Sequence, residues 1–126
     1  MTGLILDAPG QHLYIRSVSA QGIQVGDRLF TQALLISGSD LRDDWPPQEF
    51  SSLQAAHLET IFELQPEVVL LGTGQRQHFL PPEMLGVFYR RGVGVEVMNT
   101  EAACRTFNVL VGDGRAAVAA LLPLRA

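Results

Sequence analysis

Val68-Val69-Leu70-Leu71-Gly72-Thr73-Gly74-Gln75 is an apolar run that stops at a Gly-Thr-Gly loop. β-Branched and aliphatic residues bounded by glycines read as a buried strand. A second unit of this kind follows at Val93 to Met98, closed by Asn99-Thr100 and then a helix-forming segment. Strands that end in small polar residues and lead into helices set those residues along one edge of a parallel sheet, where open α/β proteins bind ligands. The two units specify an α/β fold and a candidate cleft. They specify no reaction.

Outward from this centre the pattern holds. Ala33 to Ile36 is fully apolar, ends at Ser37-Gly38-Ser39 and reads as the first strand of the main sheet. Before it, His12 to Arg16 and Gly22 to Asp27 alternate in part and carry glycine punctuation, which suggests antiparallel strands. Asp40 to Pro47 reads as a polar loop that holds the only tryptophan. The first helix is expected from a capping box at Ser51 and Gln54, with Phe50 as the hydrophobic anchor before it. Leu53, His57, Ile61 and Leu64 recur at helical spacing, and Pro66 is the stop. Pro82 suits the first turn of a second helix and Gly92 its end. A third helix starts near Thr100, with Glu101 at the positive end of its dipole, and stops at Gly112-Asp113-Gly114. Arg115 to Leu122 is a last apolar strand. The expected order is a hairpin-like start, then β-α-β-α-β-α-β, without repeats or linkers.

Bulk properties narrow the function classes. The 126 residues are expected to form a single α/β domain over 1–126, enough to bury a core without staples. The hydrophobic fraction of 47% and charged fraction of 17% are those of a globular protein. A single cysteine forms no internal disulfide, so no oxidising compartment is required. The stretch Met1-Thr2-Gly3-Leu4 lacks the basic and apolar regions of a signal peptide, and no apolar run approaches the ~20 residues of a membrane span. A soluble cytoplasmic protein is expected. The net charge of −4 argues against nucleic acid, which needs a surplus of cations on one face. Lysine is absent, which excludes Schiff-base chemistry, a lysine general base and a P-loop phosphate lysine.

Two separated motifs resemble a known family. Pro66 to Gln75 resembles the central motif of the small domain family that includes mitochondrial complex I assembly factor three. So does Gly94 to Thr100 followed by Ala103-Cys104-Arg105-Thr106-Phe107-Asn108-Val109-Leu110. The resemblance runs from about Ile15 to Leu122 and extends to free-standing bacterial proteins. It implies three layers: a mixed, mostly parallel central sheet, helices on one side and a small antiparallel β layer on the other. It also implies that the last strand runs antiparallel to the others. The mitochondrial members help to assemble a respiratory complex. The family supplies no catalytic residue, and none is assigned.

Gly72, Thr73 and Gly74 are candidates for holding an anion or nucleotide fragment with backbone N–H groups. No G-x-G-x-x-G or Walker lysine accompanies them, so no cofactor is implied. Equally, glycines let a chain leave a sheet in a conformation closed to other residues. Arg76 would suit a carboxylate or phosphate, whereas Gln77 and His78 fit an ordinary polar loop. Asn99 and Thr100 are candidates for the same cleft, although capping the third helix suffices for one of them. Asn108, amid apolar neighbours, must find partners if buried and is expected to brace a loop near the cleft. Cys104 is a core residue on this pattern, and His57 belongs to the core edge. Three scattered histidines and one cysteine give no metal-ligand spacing. Trp45, in a proline-rich loop, is either an exposed anchor for a protein partner or a lid that locks the loop onto the sheet. Two functions follow: a non-enzymatic interaction or assembly module with a protein partner, or a protein or enzyme that binds a small anionic ligand in the cleft.

Overall fold

The computed structural model describes residues 12–124. The stretch read above for a signal peptide lies outside them. A central sheet has the strand order β5-β4-β8-β6-β7, formed by β4 (Leu34–Ile36), β5 (Leu41–Arg42), β6 (Val68–Gly72), β7 (Gly94–Met98) and β8 (Ala117–Leu121). A second sheet joins β1 (Ile15–Ser19), β2 (Gly22–Val25) and β3 (Arg28–Phe30) in antiparallel order. The helices are α1 (Ala55–Glu59), α2 (Pro82–Arg91) and α3 (Thr100–Gly112). The sheet is mixed and mostly parallel, as expected. β8 pairs parallel with β6, β6 parallel with β7, and only β4 runs against the others.

The central strands are apolar on both faces because both faces are covered. Side chains alternate along a strand, so neighbours enter different cores. Leu70, Ala117, Ala119, Leu121, Leu34 and Ile36 join Ala103, Cys104 and Phe107 of α3 and the inward residues of the small sheet. Val69, Leu71, Val118, Ala120 and Leu35 join Leu58 of α1 and Val87 and Phe88 of α2. The three layers are thus present, with α1 and α2 on one side and the small β layer on the other. Helix α3 shares the β layer. The connection β6-α2-β7 steps one way across the sheet and β7-α3-β8 steps back past β6. Crossovers of one hand that run in opposite directions place their helices on opposite faces.

The structure corrects several local expectations, among them the stretch after Ile36, where Leu41–Arg42 pair with β4 as an edge strand instead of remaining a polar loop. The last strand is not the antiparallel one: β8 is parallel to β6, and the reversed strand is β4. A helix of 13 residues carries the chain back along the sheet, so β8 starts from the same end as β7. Nor does the first helix start at Ser51. Phe50–Ser52 makes a 3-10 turn, Leu53 is extended and buried, and Gln54 precedes α1. The Gln54 N–H donates to His57 Nδ1 at 3.0 Å, so His57 plays the part assigned to Gln54. After α1 the chain tightens into a 3-10 turn over Thr60–Leu64, and Gln65 turns left-handed (φ 56°) ahead of Pro66. Proline disfavours helical backbone in the residue before it.

Candidate functional site

The residues expected to line a cleft meet at the end of β6, where they bond to one another. Thr100, the first residue of α3, is wholly buried. Its Oγ1 donates to the Leu122 carbonyl at 2.6 Å and accepts from the Gly74 N–H at 2.8 Å. Its own N–H donates to the Gly74 carbonyl at 2.8 Å. The Thr73 N–H donates to the Met98 carbonyl at 2.9 Å. Thr73 Oγ1 donates to the Arg76 carbonyl at 2.6 Å and accepts from the His78 N–H at 3.3 Å. Backbone groups must find partners when buried, and here the loop, the helix and the last strand supply them to each other.

The glycines are explained by this closure. A Cβ on Gly72 would stand 2.9 Å from both Cα and Oγ1 of Thr100, so the strand end and the helix start touch backbone to backbone. Gly74 has φ +98°, a conformation that side chains rarely adopt. Asn99 serves as the α3 cap, its Oδ1 accepting from the Ala102 N–H at 2.8 Å. Glu101 sits in the first turn, where it complements the helix dipole and repels an incoming anion. Gly72, Thr73, Gly74, Asn99 and Thr100 are therefore gathered together, but as a bonded junction. Arg76 joins it only through its carbonyl. Its side chain lies in the exposed loop and makes no ion pair with the described residues.

Trp45 is not an exposed anchor. Its side chain is 2% exposed within the core of Ala33, Leu35, Leu53, Leu58 and Ile61, and Nε1 donates to the His57 carbonyl at 3.1 Å. Gln48 ties the same loop down, accepting from the Ala33 N–H at 2.9 Å and donating to the Trp45 carbonyl at 3.1 Å. The physical reason is size: an indole beside an open sheet face buries more apolar area than any other side chain in that loop.

Asn108 is also placed differently from expectation. Its amide makes two hydrogen bonds of 2.8 Å to the Ile15 backbone, one accepted and one donated, and so binds α3 to the outer edge of β1. It sits two turns into α3, away from the Thr100 end that meets the glycine loop, and pairs the N–H and C=O of Ile15. His78 stacks on Phe50 with ring centroids 4.5 Å apart. Gln77 donates to the Val97 carbonyl at 3.2 Å and covers part of the open edge of β7.

Cys104 lies in the core between α3 and the sheet. Burial pushes its thiol up to about 12, against a partial opposing effect of Arg105. With its pKa above the ordinary value of 9.0, the buried thiol supplies far less thiolate near neutral pH than an exposed cysteine would. The native protein should accordingly react with a thiol reagent far more slowly than the urea-unfolded chain. Rapid stoichiometric labelling of the folded protein would remove Cys104 from the core. Among the described residues no group of three or more His, Cys, Asp or Glu is placed to hold a metal ion. No described helix is long and apolar enough to cross a membrane.

The surface that sequence reading missed is on and before α2. Phe79 is 87% exposed, Tyr89 80% and Leu85 41%. A signal was present: Leu85 and Tyr89 are four apart and fall off the stripe of Met84, Val87 and Phe88 that meets the core.

Known proteins are similar to this chain in sequence and fold. The chain is 36% identical over 114 residues to NADH dehydrogenase (ubiquinone) 1 alpha subcomplex assembly factor 3 of Bos taurus, a match that covers 88% of this chain and 61% of that protein. With the Homo sapiens protein of the same name it shares 33% over 116 residues, covering 90% and 62%. The chain thus spans about six-tenths of the length of these curated relatives. A crystal structure of a Bordetella parapertussis protein superposes with a TM-score of 0.85 at 36% identity, covering 92% of this chain and 99% of that one. A Bordetella pertussis protein described as a Mth938-like domain gives a TM-score of 0.81 at 30% identity, covering 98% and 93%. The family described as a protein of unknown function (DUF498/DUF598) matches residues 15–122, and the chain belongs to that family.

Proposed function

We propose that the protein acts in the cytoplasm through protein contacts, as an assembly-factor-like module, and not by turning over a small molecule. The observation that carries this reading is the closure at the end of β6: Gly74 N–H and both hydrogen-bonding capacities of the Thr100 hydroxyl are used within the fold. An anion site of the kind found at strand ends needs such donors free and convergent. Similarity to assembly factor 3 of Bos taurus supports the same direction.

The competing reading is a small-anion site that uses Gly72, Thr73, Gly74, Arg76, Asn99 and Thr100. A thermal-shift screen of phosphate- and carboxylate-bearing metabolites separates the two. A ligand of the native state at a hundredfold excess over its Kd stabilises by ~2.7 kcal/mol, a readily detected rise in Tm. No metabolite in such a screen is expected to raise the Tm, and partners recovered with the tagged protein from its own cell extract should be the same for wild type and Arg76→Ala. One metabolite that gives a saturable shift, lost in Arg76→Ala with the fold intact, would overturn the assembly reading.

A further inference from the structure

We propose that α2 is the contact helix of a symmetric dimer, with a second copy of this chain as the occupant of its outer face. Helix α2 has two apolar sides. Val87 and Phe88 are buried against the sheet, and Met84 leans on the same core. Pro82, Leu85, Gly86 and Tyr89 follow at i, i+3, i+4 and i+7 and line the opposite side. A single-helix stripe of this spacing is what a facing helix covers. Phe79, three residues before the helix, is the most exposed large apolar side chain among the described residues.

The charges on this face select the occupant. Glu83 and Arg90 lie on one flank of the stripe, three residues before and four after Gly86. Both are exposed, and neither makes an ion pair among the described residues. When two such helices run antiparallel about a two-fold axis at Gly86, that flank stays on the same side in both copies. Glu83 of each copy then faces Arg90 of the other, and the pair forms twice. A parallel two-fold pair would carry this flank to opposite sides of the seam, and Glu83 would lose Arg90 as its partner. The start of one helix lies against the end of the other, so Phe79 of one copy lies beyond Tyr89 of the second, level with the end of its helix. Gly86 at the crossing point has no side chain of its own; the Arg90 guanidinium lies over it, 3.0 Å from where a Cβ would stand, and swings aside as it pairs with Glu83 of the second copy. A lipid surface would favour a face with surplus positive charge, and this flank has none. The dimer goes beyond the assembly-module reading and does not depend on it.

Sedimentation of the full chain across micromolar concentrations tests the proposal. A reversible monomer–dimer equilibrium is expected. Glu83→Arg and Arg90→Glu should each weaken it by about tenfold or more, because each sets like charges together at two symmetric positions. The double variant should recover most of the loss. Gly86→Cys places a thiol on the two-fold axis and should cross-link covalently under mild oxidation, whereas wild type, with Cys104 buried, should not. Circular dichroism and the Tm establish that each variant is folded. A wild-type protein that stays monomeric, a dimer indifferent to both reversals, or a Gly86→Cys variant without cross-link would overturn the proposal. So would binding of the monomer to anionic vesicles that is lost on Phe79→Ser, which would assign the face to a lipid surface.

Discussion

Replacing Thr100 with valine is expected to destabilise the protein by about 3 kcal/mol, although the two side chains have almost the same shape. The hydroxyl joins three parts of the chain: the glycine loop through Gly74 N–H, the last strand through the Leu122 carbonyl, and α3, which carries it. Valine leaves that donor and that acceptor buried without partners, and each unmade bond of this kind costs ~1–3 kcal/mol. Thr100→Ser keeps both bonds and loses one methyl group, which should cost only about 1 kcal/mol. Urea denaturation with unchanged m-values measures both. A valine variant within about 0.5 kcal/mol of wild type would mean that the junction does not depend on the hydroxyl. The strand end could then open to a ligand more readily than the bonded geometry allows. Gly72→Ala probes the same contact from the other side. Its Cβ would meet Thr100 backbone at 2.9 Å, and overpacking of this kind costs ~1–3 kcal/mol.

For Trp45→Ala the expected loss is larger, about 4 kcal/mol, within the range for deleting a buried aromatic side chain. The ring fills the space between the loop and Leu35, Leu53, Leu58 and Ile61, and nothing nearby is free to replace it. Trp45→Phe retains most of the packing and loses the hydrogen bond to the His57 carbonyl, which adds about 1 kcal/mol to the smaller cavity term. The single tryptophan also reports on itself. Native emission should be blue-shifted and should move to the red in one step with the loss of helical signal. A red-shifted native spectrum, or a Phe variant that is as stable as wild type yet loses its protein partners, would return Trp45 to the surface as a contact residue.

Local sequence determined the elements of this protein. Apolar runs bounded by glycine, such as Val68–Gly72, are short and rich in β-branched and aliphatic side chains, which favours a buried strand over a helix. Pro82 and Gly92 bracket α2, and Asn99 caps α3, because these residues satisfy or terminate backbone hydrogen bonding within a few positions of themselves. Cys104 in the core followed from helical spacing with Ala103 and Phe107. The first helix was legible in outline only. The buried, extended Leu53 moved its start past Ser51, and that required a core for Leu53 to enter.

Everything that depends on partners distant in the chain was decided by the tertiary structure. Gly72 to Gly74 read equally well as an anion cradle or as a loop that leaves the sheet in a conformation closed to other residues. Only the placement of Thr100, 26 residues beyond Gly74, showed which donors are already used. Asn108 found its partner 93 residues away at Ile15, a distance over which no spacing rule operates. The direction of β8 and the position of α3 in the small β layer follow from the order in which crossovers step across the sheet. Trp45 went inward because the sheet face beneath its loop was open. Hydrogen bonding near the backbone is a local property and can be read in sequence. Which faces meet, and therefore which polar groups remain available to a ligand or partner, is settled only when the layers close on one another.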